Sequence, residues 1–180
     1  GMAVLDLAGK VVCNADVELL IIEPSGIKRT LTTANNEIKI SPECPKLGVT
    51  ELPDYYANYA VKGEGTYLMN LTATTYDGTY TITDNFTVAK NVDFDVARKG
   101  PTRIYPPVPY TMNFTIKPGF NYNGDITERV PSSFAITPQR GLIITTLGPE
   151  KILSWNKQLR TGETATFGYE FDAPDVTPVI

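Results

Sequence analysis

Apolar residues in this chain recur at every second position in short runs, and nowhere at helical spacing over the length of a helix. In the first half the clearest run is residues 15–22. Val17, Leu19 and Ile21 share one face there, and Pro24, Ser25 and Gly26 follow with turn chemistry. Runs at 27–33 and 36–40 come next, and Pro42 and Pro45 then make 41–45 a loop, because proline lacks a donor for a strand ladder. Residues 55–61 place Tyr55, Ala57, Tyr59 and Val61 on one side and leave Tyr56 facing out. Gly63 and Gly65 turn into a run at 66–73, and Asp77 with Gly78 is a hairpin signal that leads into 79–88. In the second half the alternation continues at 91–97, 110–117, 125–130, 134–137, 142–147, 151–155 and 164–171, with turns at Pro118 and Gly119, Asn123 and Gly124, and 161–163. The pattern predicts an all-β protein of two tandem immunoglobulin-like β-sandwiches, residues 1–89 and 90–180. A short proline-containing linker is expected between them, marked by Lys99, Gly100 and Pro101 and by Tyr105, Pro106 and Pro107. Prolines there would restrict the hinge. The last strand is expected to be short or cut off, since six residues follow Pro174.

Composition narrows the function classes. Hydrophobic residues make up 42% and charged residues 20%, enough for a packed core. No apolar run approaches the ~20 residues of a spanning helix, so direct membrane insertion by this segment is not expected. Gly1 ahead of Met2 reads as the residue left by tag removal, and no leader is evident. The 16 basic and 20 acidic residues give a net charge of −4, and only Arg98, Lys99 and Arg103 cluster. A nucleic-acid binder needs a basic face for phosphates, so nucleic acid is not an expected partner. The chain has no histidine. That removes Ser-His-Asp and Cys-His catalysis and most zinc sites. Paired-carboxylate hydrolysis would need two acids in one cleft, and no local motif nominates a pair. A non-catalytic protein is the expectation.

The remaining candidates are few. Cys13 and Cys44 allow a single disulfide, expected in an exported β-domain, or two buried thiols in a cytosolic one. Asp93 and Asp95 form a D-x-D pair on one strand face at the joint. They would supply two of the 6–8 oxygens a Ca²⁺ ion requires, or else serve as solvated charges blunting an edge strand. Residues 121–125 resemble a calcium loop loosely and turn chemistry better. Tyr56 is the candidate ligand-facing aromatic. An isopeptide crosslink through Lys10 or Lys117 would require a buried lysine, which is rare. Asn70, Asn85 and Asn113 begin N-x-[ST] sequons, acceptors only in a glycosylating host.

Residues 9–19 (GKVVCNADVEL), PSG at 24–26, GTY at 65–67 and FTV at 86–88 resemble the bacterial Ig-like modules of invasin and macroglobulin type. The resemblance covers most of 3–89 and makes Tyr67 the candidate for a tyrosine corner, its hydroxyl bonding nearby backbone. The Cys13 and Cys44 pair departs from that pattern. In the second half, GDITERVP at 124–131 followed by Phe134, ILSW at 152–155, GET at 162–164 and YEFDAP at 169–174 resemble a repeat domain of bacterial and archaeal surface proteins. These resemblances imply a structural or adhesive segment of a secreted or cell-surface protein. Its partners would be other surface proteins or glycans and the neighbouring domains of a longer chain. The alternative is a carbohydrate- or protein-binding accessory module of a secreted enzyme. The first half alone would also permit a fragment of a macroglobulin-like protein.

Overall fold

A computed structural model describes residues 1–174 apart from Ala8, Leu47 and residues 105–107. The chain is all-β. It divides into two compact units, one holding Gly1–Lys90 and the other beginning at Asn91. Among the described residues no helix is long and apolar enough to cross a membrane.

The first unit contains β1 (Asp16–Ile22), β2 (Lys28–Thr32), β3 (Lys39–Ile40), β4 (Tyr55–Tyr56), β5 (Gly65–Thr75) and β6 (Gly78–Val88). Four of these form an antiparallel sheet in the order β2-β1-β5-β6, and β3 pairs with β4. Register follows from the alternation. Leu19 lies opposite Leu31 on one side and Leu71 on the other, and Val17 lies opposite Ala73, so one face is apolar at its centre, with Arg29 and Asp84 on the same face at the two edge strands. That face packs into a core with Val4, Val12, Ile38 and Tyr55 from the N-terminal segment and the β3–β4 region. The other face carries threonine rungs: Thr66–Thr87, Thr72–Thr81 and Thr74–Thr79, with hydroxyls 3.0–3.1 Å apart. The strands expected over 36–40 and 55–61 shrink to two residues each, since β3 and β4 share a ladder of only two residue pairs. Asn36 instead takes a left-handed turn at φ 57°.

A disulfide joins Cys13 to Cys44, 31 residues apart in sequence, and closes the 41–45 loop onto the start of β1. Beside it the buried Tyr55 hydroxyl donates to the Val12 carbonyl at 2.6 Å and accepts from the Ala15 N–H at 3.0 Å. A disulfide buried in this way is consistent with an oxidising compartment.

The second unit contains β7 (Phe94–Lys99), β8 (Tyr110–Pro118), β9 (Tyr122–Pro131), β10 (Ala135–Ile136), β11 (Ile143–Leu147), β12 (Glu150–Leu159) and β13 (Ala165–Asp172). The sheets run β10-β13-β8-β7 and β11-β12-β9. They form a sandwich, because Trp155 of β12 meets Phe167 at 4.9 Å, Phe114 at 6.1 Å and Tyr169 at 6.3 Å from the other sheet. Strand β8 shows the cause most plainly: Met112, Phe114 and Ile116 are buried and the residues between them are exposed.

Among the described residues, seven strands in sheets of four and three match the immunoglobulin count, but the order differs. An immunoglobulin domain would place the last strand at the edge of the three-stranded sheet. Here β13 lies between β8 and β10, and β11 takes the edge position beside β12. The reason lies in Gly148 and Pro149, a two-residue turn with Gly148 at φ 59°, which locks β11 to β12 as a hairpin. Two further expectations change. Gly100 and Pro101 follow β7 and so belong to the connection from β7 to β8 inside this unit, not to a linker between units. The Tyr105, Pro106 and Pro107 part of the expected linker lies outside the described residues. Asn123 and Gly124 lie within β9, opposite Gln158 and Lys157, and do not turn the chain.

Candidate binding site

The most developed polar arrangement in the first unit starts from a simple parity. Glu23 stands two residues beyond Ile21 and therefore inherits the core-facing side of β1. The Glu23 N–H donates to the Ile27 carbonyl and the Gly26 N–H to the Glu23 carbonyl, both at 2.8 Å, so the β1–β2 turn fixes the residue. Gly26 sits at φ 84°, which favours glycine. The carboxylate is 6% exposed. It accepts from the Tyr59 hydroxyl at 2.6 Å and the Ser25 hydroxyl at 3.4 Å, and Lys62 Nζ lies 3.6 Å away.

Tyr67 holds the strand-free segment that supplies Tyr59 and Lys62. Its hydroxyl accepts from the Lys62 and Gly63 N–H groups at 3.1 and 3.2 Å and donates to the Gly63 carbonyl at 2.9 Å. This is the backbone anchoring that its motif led us to expect. Its ring stacks on Phe86 at 4.9 Å and meets Tyr59 edge-on at 6.3 Å.

The Tyr59 hydrogen bond holds the Glu23 carboxyl below the usual carboxylate range despite its burial. The same bond pushes the Tyr59 hydroxyl up to about 12. Both shifts favour an ionised carboxylate held by a neutral phenol. The pair supplies fixed charge and fixed shape.

Around it lies an open concavity of ≈ 680 Å³ whose lining includes Glu23, Tyr59 and Tyr56. Tyr56 is half-buried, and its backbone is held opposite Lys39 in the β3–β4 ladder. Arg29 on the lining pairs with Glu37 at 2.6 Å. Lys28 and Lys39 also line it, and among the described residues neither has an ion-pair partner. The site thus combines two tyrosines, one buried acid and free positive charge.

The other sequence candidates fall elsewhere. Asp93 and Asp95 are both exposed. Asp95 lies opposite Lys117 across the β7–β8 ladder, and the Asp93 carbonyl accepts from the Gly119 N–H at 2.8 Å. Among the described residues no group of three or more potential metal ligands forms, around this pair or elsewhere. In 121–125 the polar side chains are engaged locally. Asn121 accepts from the Thr161 N–H at 3.0 Å, and Asp125 accepts from the Asn156 amide at 2.7 Å. Lys10 and Lys117 are exposed, so neither meets the burial that an isopeptide crosslink requires. Asn85 and Asn113 are exposed and Asn70 is half-buried.

Two clusters escaped the sequence reading. In the second unit Arg98 of β7 and Glu128 of β9 form an ion pair at 2.9 Å that bridges the two sheets. Arg98 also lies over the Phe114 ring, 5.9 Å from its centroid, and burial raises the neighbouring Tyr169 hydroxyl. Phe94, Phe120 and Tyr122 form an aromatic trio with centroids 5.1–6.2 Å apart. Parity would have exposed the first cluster, since Arg98 lies opposite the inward-facing Phe114 in the register. The trio joins two strands and a loop, and no local spacing announces it.

Comparison of the chain with known proteins finds no matching family model, no matching curated protein and no matching solved structure.

Proposed function

We propose that this chain is a non-catalytic, tension-bearing spacer of a secreted or cell-surface protein, built from two all-β units. The observation that carries this reading is the placement of the first and last strands of the second unit. Both β7 and β13 pair antiparallel with β8, one on each side, so they run in the same direction. Force entering before β7 and leaving after β13 acts at opposite ends of that three-strand array. It therefore pulls along the strands and across ladder bonds that lie perpendicular to them. Bonds loaded in this shear geometry share the force, whereas bonds at an opening hairpin break one after another.

Single-molecule stretching tests the reading. With handles before residue 91 and after residue 174, the second unit should resist to a clearly higher force than with handles at 141 and 156. The latter pair loads the β11–β12 hairpin from its open end. Equal forces in the two geometries would remove the mechanical argument.

The Tyr56 concavity favours a second reading, a binding module for a glycan or a surface protein attached to a secreted enzyme. An aromatic beside unpaired lysines suits an acidic saccharide. On a glycan array this reading expects binding that Tyr56→Ala abolishes; an array without any signal rejects the glycan form.

A further inference from the structure

Edge strands expose unpaired backbone groups, and proteins commonly blunt them with charge, proline or a bulge. Three edges of this chain follow that rule. Strand β2 carries Lys28 and Arg29, β7 carries Asp95, Arg98 and Lys99, and β9 carries Asp125, Glu128 and Arg129. Strand β6 does not. It pairs with β5 without interruption from Gly65↔Val88 to Thr75↔Gly78, with no bulge. Between Gly78 and Val88 it has no lysine, arginine or proline, and its one charge is Asp84. On its core-facing side Tyr80 is 45% exposed and Ile82 is 64% exposed, so an apolar stretch of the sheet face runs out to an edge that no strand among the described residues covers.

We propose that β6 is a dimerisation edge, and that its occupant is β6 of a second copy of this chain, paired antiparallel about a two-fold axis through Thr81. The sequence of the strand commits to this partner and this register. Residues 79–83 read Thr-Tyr-Thr-Ile-Thr, a near palindrome. Pairing about Thr81 sets Tyr80 against the second copy's Ile82 on the apolar face. On the other face it sets Thr79 against Thr83 and Thr81 against its own counterpart. The threonine rungs already present at Thr72–Thr81 and Thr74–Thr79 would then continue across the junction, and two four-stranded sheets would become one of eight. Charge selects the same register. Each Asp84 falls opposite the second copy's Gly78, at opposite ends of the paired segment. A two-fold axis at Asp84 would oppose two carboxylates directly, which is destabilising. Asn85 lies just outside the paired segment, so its sequon stays free. Strand β11 is also uncharged, but it is shorter, and self-pairing of Ile-Ile-Thr-Thr-Leu would set isoleucine against threonine.

The whole chain is suited to a crosslinking test, because its two native cysteines are bonded and none is free. Antiparallel partners directly opposite have Cα atoms ~4.5–5.5 Å apart, within disulfide range. Under mild oxidation Thr81→Cys should give a covalent dimer. Thr83→Cys alone should not, whereas a mixture of Thr79→Cys and Thr83→Cys should. Sedimentation of the unmodified chain should show a concentration-dependent dimer, and Ile82→Lys should weaken it about tenfold or more. A chain that stays monomeric at every concentration overturns the proposal. So does a dimer indifferent to Ile82→Lys, which would place the contact elsewhere, or crosslinking of Thr83→Cys as fast as Thr81→Cys, which would deny the register.

Discussion

Reducing the Cys13–Cys44 bond, or replacing both cysteines by serine, should lower the melting transition of the first unit by roughly 15–25 °C and leave that of the second within experimental error. The bond closes a loop of 31 residues. In the chain-entropy account a loop of that length is worth about 3–4 kcal/mol. The first unit depends on this closure because its smaller sheet is only two strands with two paired residues each. What covers the four-stranded sheet is otherwise irregular chain, including Val4 and Val12, and such chain regains much freedom when the tether is cut. Calorimetry with and without reductant reads both transitions in one scan. A single transition that moves as a whole would show the units to be cooperative, against the division at Lys90.

Trp155→Ala should destabilise the second unit by about 3–5 kcal/mol and leave the first unchanged. The side chain is 4% exposed and is the point where the sheets meet, with Phe114, Phe167 and Tyr169 around it. Truncation empties the middle of the sandwich, and rings held by their own strands cannot collapse to fill it. Chemical denaturation followed by circular dichroism should show an earlier midpoint for one of two transitions. Trp155→Phe, which keeps most of the volume, should recover much of the loss. A Trp155→Ala variant as stable as the parent chain would mean that the two sheets do not share this core.

Strand positions were largely legible because burial on one face forces period-two alternation. Val17, Leu19 and Ile21, or Met112, Phe114 and Ile116, announce themselves without any knowledge of their partners. Strand order was not legible. Whether β11 or β13 fills the place beside β8 depends on a hairpin set by Gly148 and Pro149, and the alternation on both strands is satisfied either way. The candidate site was half legible. Tyr56 was found because it falls out of phase with Tyr55 and Tyr59. Glu23 was passed over because an acid after an apolar run reads as the strand's end, although its parity points inward. Its compensation comes from Tyr59, 36 residues away, and only the fold brings the two together.

The disulfide also sets how far the protein can lengthen. With Cys13 and Cys44 bonded, the residues between them are bypassed when the ends are drawn apart. An unravelled first unit would therefore pay out about 100 Å less chain than its sequence length implies. In an oxidising environment such a unit has a short, built-in stop. A change in redox conditions would convert the same sequence into a longer tether without altering a residue.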